Sequence, residues 1–179
     1  MAVQFSPGAP VVAKHLLGSY MKNKINIAVV GGFECSKRVY KIAVKLGELI
    51  AQEGWIVICG GGEGVMQGVC EGAKSKGGIT VGILPGYDER EANPYLDVKI
   101  PTGLGYARNI LVVRAGDFVV AINGKHGTLS EIAFALNEGK PVVGINTWLI
   151  KGVVRKKTAQ EAISYIKSKL VEKYKGKRL

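Results

Sequence analysis

The sequence predicts an α/β fold with one doubly wound, mostly parallel sheet flanked by helices. Three observations lead there. Apolar runs at residues 25–30, 55–59, 79–84, 118–122 and 141–146 largely lack the polar alternation of a half-solvated strand, as expected where helices cover both faces of a sheet. Segments with apolar residues at helical spacing lie between them, so strand and helix alternate. Three of the runs end in glycine-bearing turns, Gly31-Gly32, Gly60 to Gly64 and Gly124 to Gly127, which suit tight strand-to-helix connections.

Residues 1–24 carry Pro7, Gly8 and Pro10 and no firm period, and read as an arm with a short helix near residues 11–17. After the first strand, Ser36 is a good helix N-cap, and Val39, Ala43, Leu46 and Ile50 carry a helix to about Gln52, where Gly54 ends it. Val65, Val69 and Ala73 are the inward positions of a second helix that closes at Gly77-Gly78. Residues 85–94 read as a charged loop and 96–100 as a short strand. Pro101-Thr102-Gly103 then turns into a helix holding Arg108, Ile110, Leu111 and Arg114. The run 118–122 is the most continuous strand, and from Thr128 the period changes, with Leu129, Ile132, Ala133 and Leu136 on one helical face. Residues 151–157 read as a turn region before a closing helix from about Thr158, where Thr158 and Glu161 form a capping-box pair. No repeat or linker divides this stretch, so residues 25–179 are expected to form a single Rossmann-like domain.

The composition, 47% hydrophobic and 22% charged over 179 residues, is that of a compact globular protein. No apolar run approaches the roughly 20 residues that cross a bilayer. The N-terminus lacks the basic and apolar regions of a secretory signal. Cys35, Cys59 and Cys70 are odd in number and lack metal-binding or C-x-x-C spacing, which reads as buried reduced thiols and a cytoplasmic location. The net charge of +11 resembles a nucleic-acid signal until it is located: residues 151–179 hold ten Lys/Arg against Glu161 and Glu172. The excess lies on a terminal helix and tail, away from the glycine turns. A solvated helical face explains it better than a nucleic-acid surface.

In doubly wound folds ligands gather beyond the carboxyl ends of the strands, near the switch in strand order. Three glycine turns at one sheet edge favour a phosphate-bearing ligand, because glycine admits close backbone approach and the helix N-termini offer free N–H groups. Neither G-x-G-x-x-G with a following acidic residue nor G-x-x-x-x-G-K-[ST] is present, which disfavours dinucleotide dehydrogenases and P-loop NTPases. The turn after residue 122 supplies Gly124, Lys125, His126, Gly127 and Thr128 as ligand-binding candidates. Gly32, Gly61, Gly62, Gly64 and Met66 are candidates on the other two turns. Glu131 has two readings. It is a capping-box partner of Thr128, or a carboxylate beside the anion site that activates water or steadies a sugar cation. Arg108 is either an exposed helix arginine or a bidentate ligand of phosphate or carboxylate. The two histidines, His15 and His126, lie far apart in sequence, and no metal site is expected.

Three ordered stretches resemble one family: Gly60-Gly-Gly-Glu-Gly-Val-Met66, Pro101-Thr-Gly103 with Arg108-Asn109, and Asn123-Gly-Lys-His-Gly-Thr-Leu-Ser-Glu131. They are similar to the LOG-like proteins, which include cytokinin riboside 5′-monophosphate phosphoribohydrolases, often mislabelled lysine decarboxylases, and the related molybdenum-cofactor carrier proteins. Gly124, Gly127, Thr128 and Glu131 match the family pattern Pro-Gly-Gly-x-Gly-Thr-x-x-Glu, while Asn123 and Lys125 replace its Pro and second Gly. Arg108 matches the family arginine paired with the glutamate, and Asn109, also a candidate ligand contact, stands where a Lys often follows. The stretch 101–109 looks closer to the carrier branch. The resemblance implies Arg108 and Glu131 as catalytic residues and a nucleotide or pterin phosphate as ligand. Hydrolysis would require no cofactor, whereas a carrier would hold a molybdopterin-type cofactor as its ligand. It also implies a homo-oligomer, a dimer or a tetramer.

Overall fold

The computed structural model describes residues 24–175, so the expected arm and its helix near 11–17 lie outside the described residues. Its elements are β1 (Asn26–Gly31), α1 (Lys37–Gln52), β2 (Ile56–Cys59), α2 (Val65–Ser75), β3 (Ile79–Leu84), a 3-10 turn (Glu89–Glu91), β4 (Val98–Pro101), a 3-10 turn (Gly105–Arg108), α3 (Asn109–Ala115), β5 (Phe118–Ile122), α4 (His126–Asn137), β6 (Val142–Ile145), β7 (Val153–Lys156) and α5 (Ala159–Lys175). The seven strands form one parallel sheet in the order β4-β3-β2-β1-β5-β6-β7. This is the doubly wound, Rossmann-like α/β architecture that the alternation of strand and helix predicts.

Side chains of the central strands divide between two cores. Phe118, Val120 and Ile122 of β5 pack with α1, α2 and α5 on one face, and Val119 and Ala121 pack with α3 and α4 on the other. β5 is buried along its whole length, which accounts for its unbroken apolar sequence. α1 begins where Ser36 accepts the Val39 N–H at 3.3 Å, and its buried positions include Ala43, Leu46 and Ile50. A Cβ at Gly47 would run into the Val69 carbonyl, and one at Gly72 into the Val44 carbonyl, so these glycines set how closely α1 and α2 approach. Among the described residues no helix is long and apolar enough to cross a membrane.

Three local expectations need correction. Residues 153–156 form β7, paired in parallel with β6 from Val142↔Val153 to Ile145↔Lys156, rather than part of a turn region. A four-residue edge strand of two valines and two cations is too short to show a period. β4 begins at Val98, not at residue 96. Leu96 instead fills the space left by the missing side chains of Gly61 and Gly82. Arg108 ends a 3-10 turn, and the α-helix begins at Asn109.

The strand order reverses at β1, whose neighbours are β2 on one side and β5 on the other. The carboxyl ends of β1 and β5 therefore border the crevice where such sheets take their ligands.

Candidate functional site

A cavity of about 650 Å³ opens at that crevice. Gly31, Gly32, Phe33 and Glu34 follow β1, Met66 comes from α2, and Gly105, Tyr106, Arg108 and Asn109 come from the turn into α3. Lys125, Gly127, Thr128 and Glu131 come from the β5–α4 connection.

The β5–α4 turn is built on two left-handed residues, Asn123 at φ 52° and Gly124 at φ 99°. Asparagine tolerates this region, whereas proline, with φ near −65°, cannot enter it. Asn123 also donates its N–H to the Ile145 carbonyl at 3.1 Å, a bond proline cannot make. The turn at Asn123 is thus one that the Pro of the resembled pattern could not form. Gly124 is needed for a second reason: a Cβ there would collide with the Thr128 side chain.

This turn starts α4 at His126, two residues earlier than expected, with Lys125 as the N-cap. The first helical bond runs from the Leu129 N–H to the Lys125 carbonyl at 3.0 Å. The N–H groups of His126, Gly127 and Thr128 have no partner among the described residues and lie at the positive end of the helix dipole. The capping-box reading of Thr128 and Glu131 is therefore wrong. Thr128 is the third residue of the helix, and no side chain among the described residues caps it. Glu131 is a full turn inside, only 6% exposed, and faces Arg108.

Arg108 is likewise not an exposed helix arginine. It is 9% exposed, and its guanidinium packs against Gly60, where a Cβ would come within 2.5 Å of Nη2. Its Nη1 lies 3.7 Å from Glu131 Oε1, a charge pair too long for a hydrogen bond. The buried Nε has no hydrogen-bond partner among the described residues. Nη1 donates to Asn109 Oδ1 at 3.1 Å, Asn109 Nδ2 to Ser130 Oγ at 3.1 Å, and Ser130 Oγ to the Gly127 carbonyl at 2.7 Å. Asn109 thus links the arginine to the mouth of α4.

Burial pushes the Glu131 carboxyl up to about 7 against the pull of Arg108. Burial in turn lowers the Arg108 guanidinium from its ordinary value, opposed by Glu131 and Cys59. A carboxyl that titrates near neutral pH inside a cavity can both take and give a proton there. Cys59 and Cys70 are buried free thiols with sulfurs 3.6 Å apart behind the Gly60 turn, and Cys35 is partly exposed.

Of the predicted site residues, Gly32, Met66, Arg108, Asn109, Lys125, Gly127, Thr128 and Glu131 converge on the cavity. Gly61, Gly62, Gly64 and Gly124 do not line it. Gly61 packs under Leu84, Gly62 beside Phe33 and Met66, and Gly64 against the Gly32 and Phe33 carbonyls. His126 does not line it either, and its ring lies 6.1 Å from that of Trp148. Lys125 is 83% exposed, and its Nζ lies 3.3 Å from Glu34 across the cavity lip. Phe33 and Tyr106 line the cavity without having been singled out in the sequence. Each sits in an irregular segment where no period marks it, and both rings are exposed.

The sequence pattern of the SLOG cluster4 family matches residues 24–174. The chain belongs to this family. It is 31% identical over 118 residues to the cytokinin riboside 5′-monophosphate phosphoribohydrolase of Mycobacterium tuberculosis, covering 60% of this chain and 63% of that protein. The molybdenum cofactor binding protein of Rippkaea orientalis superposes with a TM-score of 0.79 at 36% identity, over 83% of this chain and 98% of that one. The molybdenum cofactor carrier protein of Chlamydomonas reinhardtii gives 0.76 at 34% identity, over 84% and 99%. The resemblance read from the three sequence stretches, including its carrier branch, is borne out.

Proposed function

We propose that this SLOG protein binds a nucleoside 5′-monophosphate in the β1/β5 crevice and hydrolyses its N-glycosidic bond to free base and ribose 5-phosphate. The observation that carries the proposal is the convergence on one cavity of the Gly127 and Thr128 N–H groups, without a partner among the described residues, and the buried Arg108–Glu131 pair. In this reading the phosphate accepts from the N–H groups of Gly127 and Thr128, with Lys125 adding positive charge at the lip. Gly32 leaves room for the ligand, Met66 packs against it, and Asn109 keeps Arg108 oriented. The ionised Glu131 carboxylate takes a proton from the water that adds to the anomeric carbon. The bond from that carbon to the base nitrogen breaks, and the leaving base takes that proton from Glu131, which restores the carboxylate. Arg108 stabilises the ionised form of Glu131 between turnovers. No cofactor is needed for these steps.

Incubation with AMP and other nucleoside monophosphates, followed by chromatography for free base, tests this. Base release that disappears in Glu131→Gln supports it; no release, or release that survives the substitution, refutes hydrolysis.

A second reading is supported by the near-complete coverage of the two molybdenum-cofactor proteins. Here the same cavity holds a molybdopterin-type cofactor through its phosphate, as cargo and without turnover. The helix mouth and Lys125 suit a phosphate. Among the described residues no cluster of His, Cys, Asp or Glu could hold a metal directly, so the protein would grip the organic part. Mass spectrometry of the co-purifying small molecule distinguishes carrier from hydrolase. The exposed Leu104, Tyr106 and Leu149 support a homo-oligomer, which sedimentation velocity tests.

A further inference from the structure

We infer that Thr147 and Trp148, on the loop after β6, are positioning residues that hold the β5–α4 turn in its ligand-ready shape. The inference rests on the phosphate reading of that turn.

Thr147 Oγ1 donates to the Asn123 carbonyl at 2.7 Å, and Trp148 Nε1 donates to the Lys125 carbonyl at 3.1 Å. These two carbonyls flank Gly124, the most permissive residue of the turn. Asn123 is held at both ends, because its N–H already bonds the Ile145 carbonyl. Lys125 O also accepts the Leu129 N–H, the first bond of α4, so Trp148 grips the N-cap itself. The Trp148 ring further lies 6.1 Å from that of His126, the first residue of the helix.

The backbone explains why such bracing is required. Asn123 and Gly124 both stand in the left-handed region, where no proline ring can fix the backbone. The left-handed Asn123 would relax without outside contacts. Asn146, at φ 48°, turns the chain at the end of β6 just as Asn123, at φ 52°, does at the end of β5, and this brings Thr147 over its neighbour. Gly144 clears the way, since a Cβ there would stand 2.8 Å from the Thr147 methyl group. The bracing loop touches the turn and does not line the cavity. Its action is therefore on the spacing of the free N–H groups and not on the ligand.

The test compares wild type with Thr147→Val and Trp148→Phe, which remove a donor while keeping most of the volume, and with Thr147→Ser, which keeps the hydroxyl. Amide exchange is followed in the ligand-free proteins, and AMP and inorganic phosphate are titrated calorimetrically. Faster exchange confined to the bonded amides of Asn123 and Leu129 is expected in Thr147→Val and Trp148→Phe, with β1 and β5 unchanged. AMP affinity is expected to fall roughly three- to tenfold for each lost hydrogen bond, and Thr147→Ser to restore it. Wild-type exchange at the turn in both variants overturns the inference. So does an affinity loss accompanied by exchange spread over the whole sheet, which would mark a merely structural role. If wild type binds neither AMP nor phosphate, the phosphate reading fails, and the exchange comparison alone decides whether the loop braces the turn.

Discussion

Glu131→Gln should stabilise the protein in alkaline solution and leave it unchanged in acid. The carboxyl is 6% exposed, and burial raises it from an ordinary 4.5 to about 7. Below about pH 4.5 it is protonated in both folded and unfolded chains, so Glu and Gln are nearly equivalent. Between 4.5 and 7 the unfolded chain ionises while the folded one does not, and the folded state loses ground steadily. Above 7 the full cost of the buried charge is present. The rise from 4.5 to about 7, at about 1.4 kcal/mol per pH unit, amounts to between about 3 and 4 kcal/mol, already net of the attraction to Arg108. Urea unfolding at pH 5 and pH 8.5 measures it. Gln should gain between about 3 and 4 kcal/mol relative to wild type at the higher pH and just under about 1 kcal/mol at the lower. A Gln protein that is less stable at pH 8.5 would refute the reasoning, because the Arg108 pairing would then outweigh the burial cost.

Other outcomes follow from the same contacts. Gly60→Ala places a methyl group against the Arg108 guanidinium, so it should move the cation away and raise the Glu131 carboxyl above about 7 by NMR titration. Gly47→Ala or Gly72→Ala meets backbone rather than flexible side chain, and should force α1 and α2 apart at a cost of about 1–3 kcal/mol in urea unfolding. If Glu131 is the general base, kcat/KM for base release should rise with pH through about 7 and then level, because only the ionised form accepts the proton.

Much of the fold was legible because its signals are local. Continuous apolar runs marked β1, β3 and β5, and Ser36 marked the start of α1. β7 escaped because Val153 and Val154 sit between cations at the sheet edge, and pairing with β6, not their own pattern, makes them a strand. The site was legible as residue types and not as geometry. Glu131 satisfied a capping box on paper, and only the left-handed turn at Asn123 and Gly124, which starts the helix two residues early, removes it from the cap. Arg108 could not be known as buried, because its cover comes from Gly60, distant in sequence. Thr147 and Trp148 gave no signal at all, since their partners are backbone carbonyls on the neighbouring strand-to-helix turn.

The most direct test of the central claim is a crystal structure of the protein with AMP bound. The phosphate is predicted within about 3 Å of the Gly127 and Thr128 N–H groups, with Glu131 facing the N-glycosidic bond. A separate groove of about 570 Å³, bordered by Lys37, Arg38, Lys41 and Lys157, offers a competing basic surface. A phosphate seated in that groove, with the β1/β5 crevice free of ligand, would contradict the account.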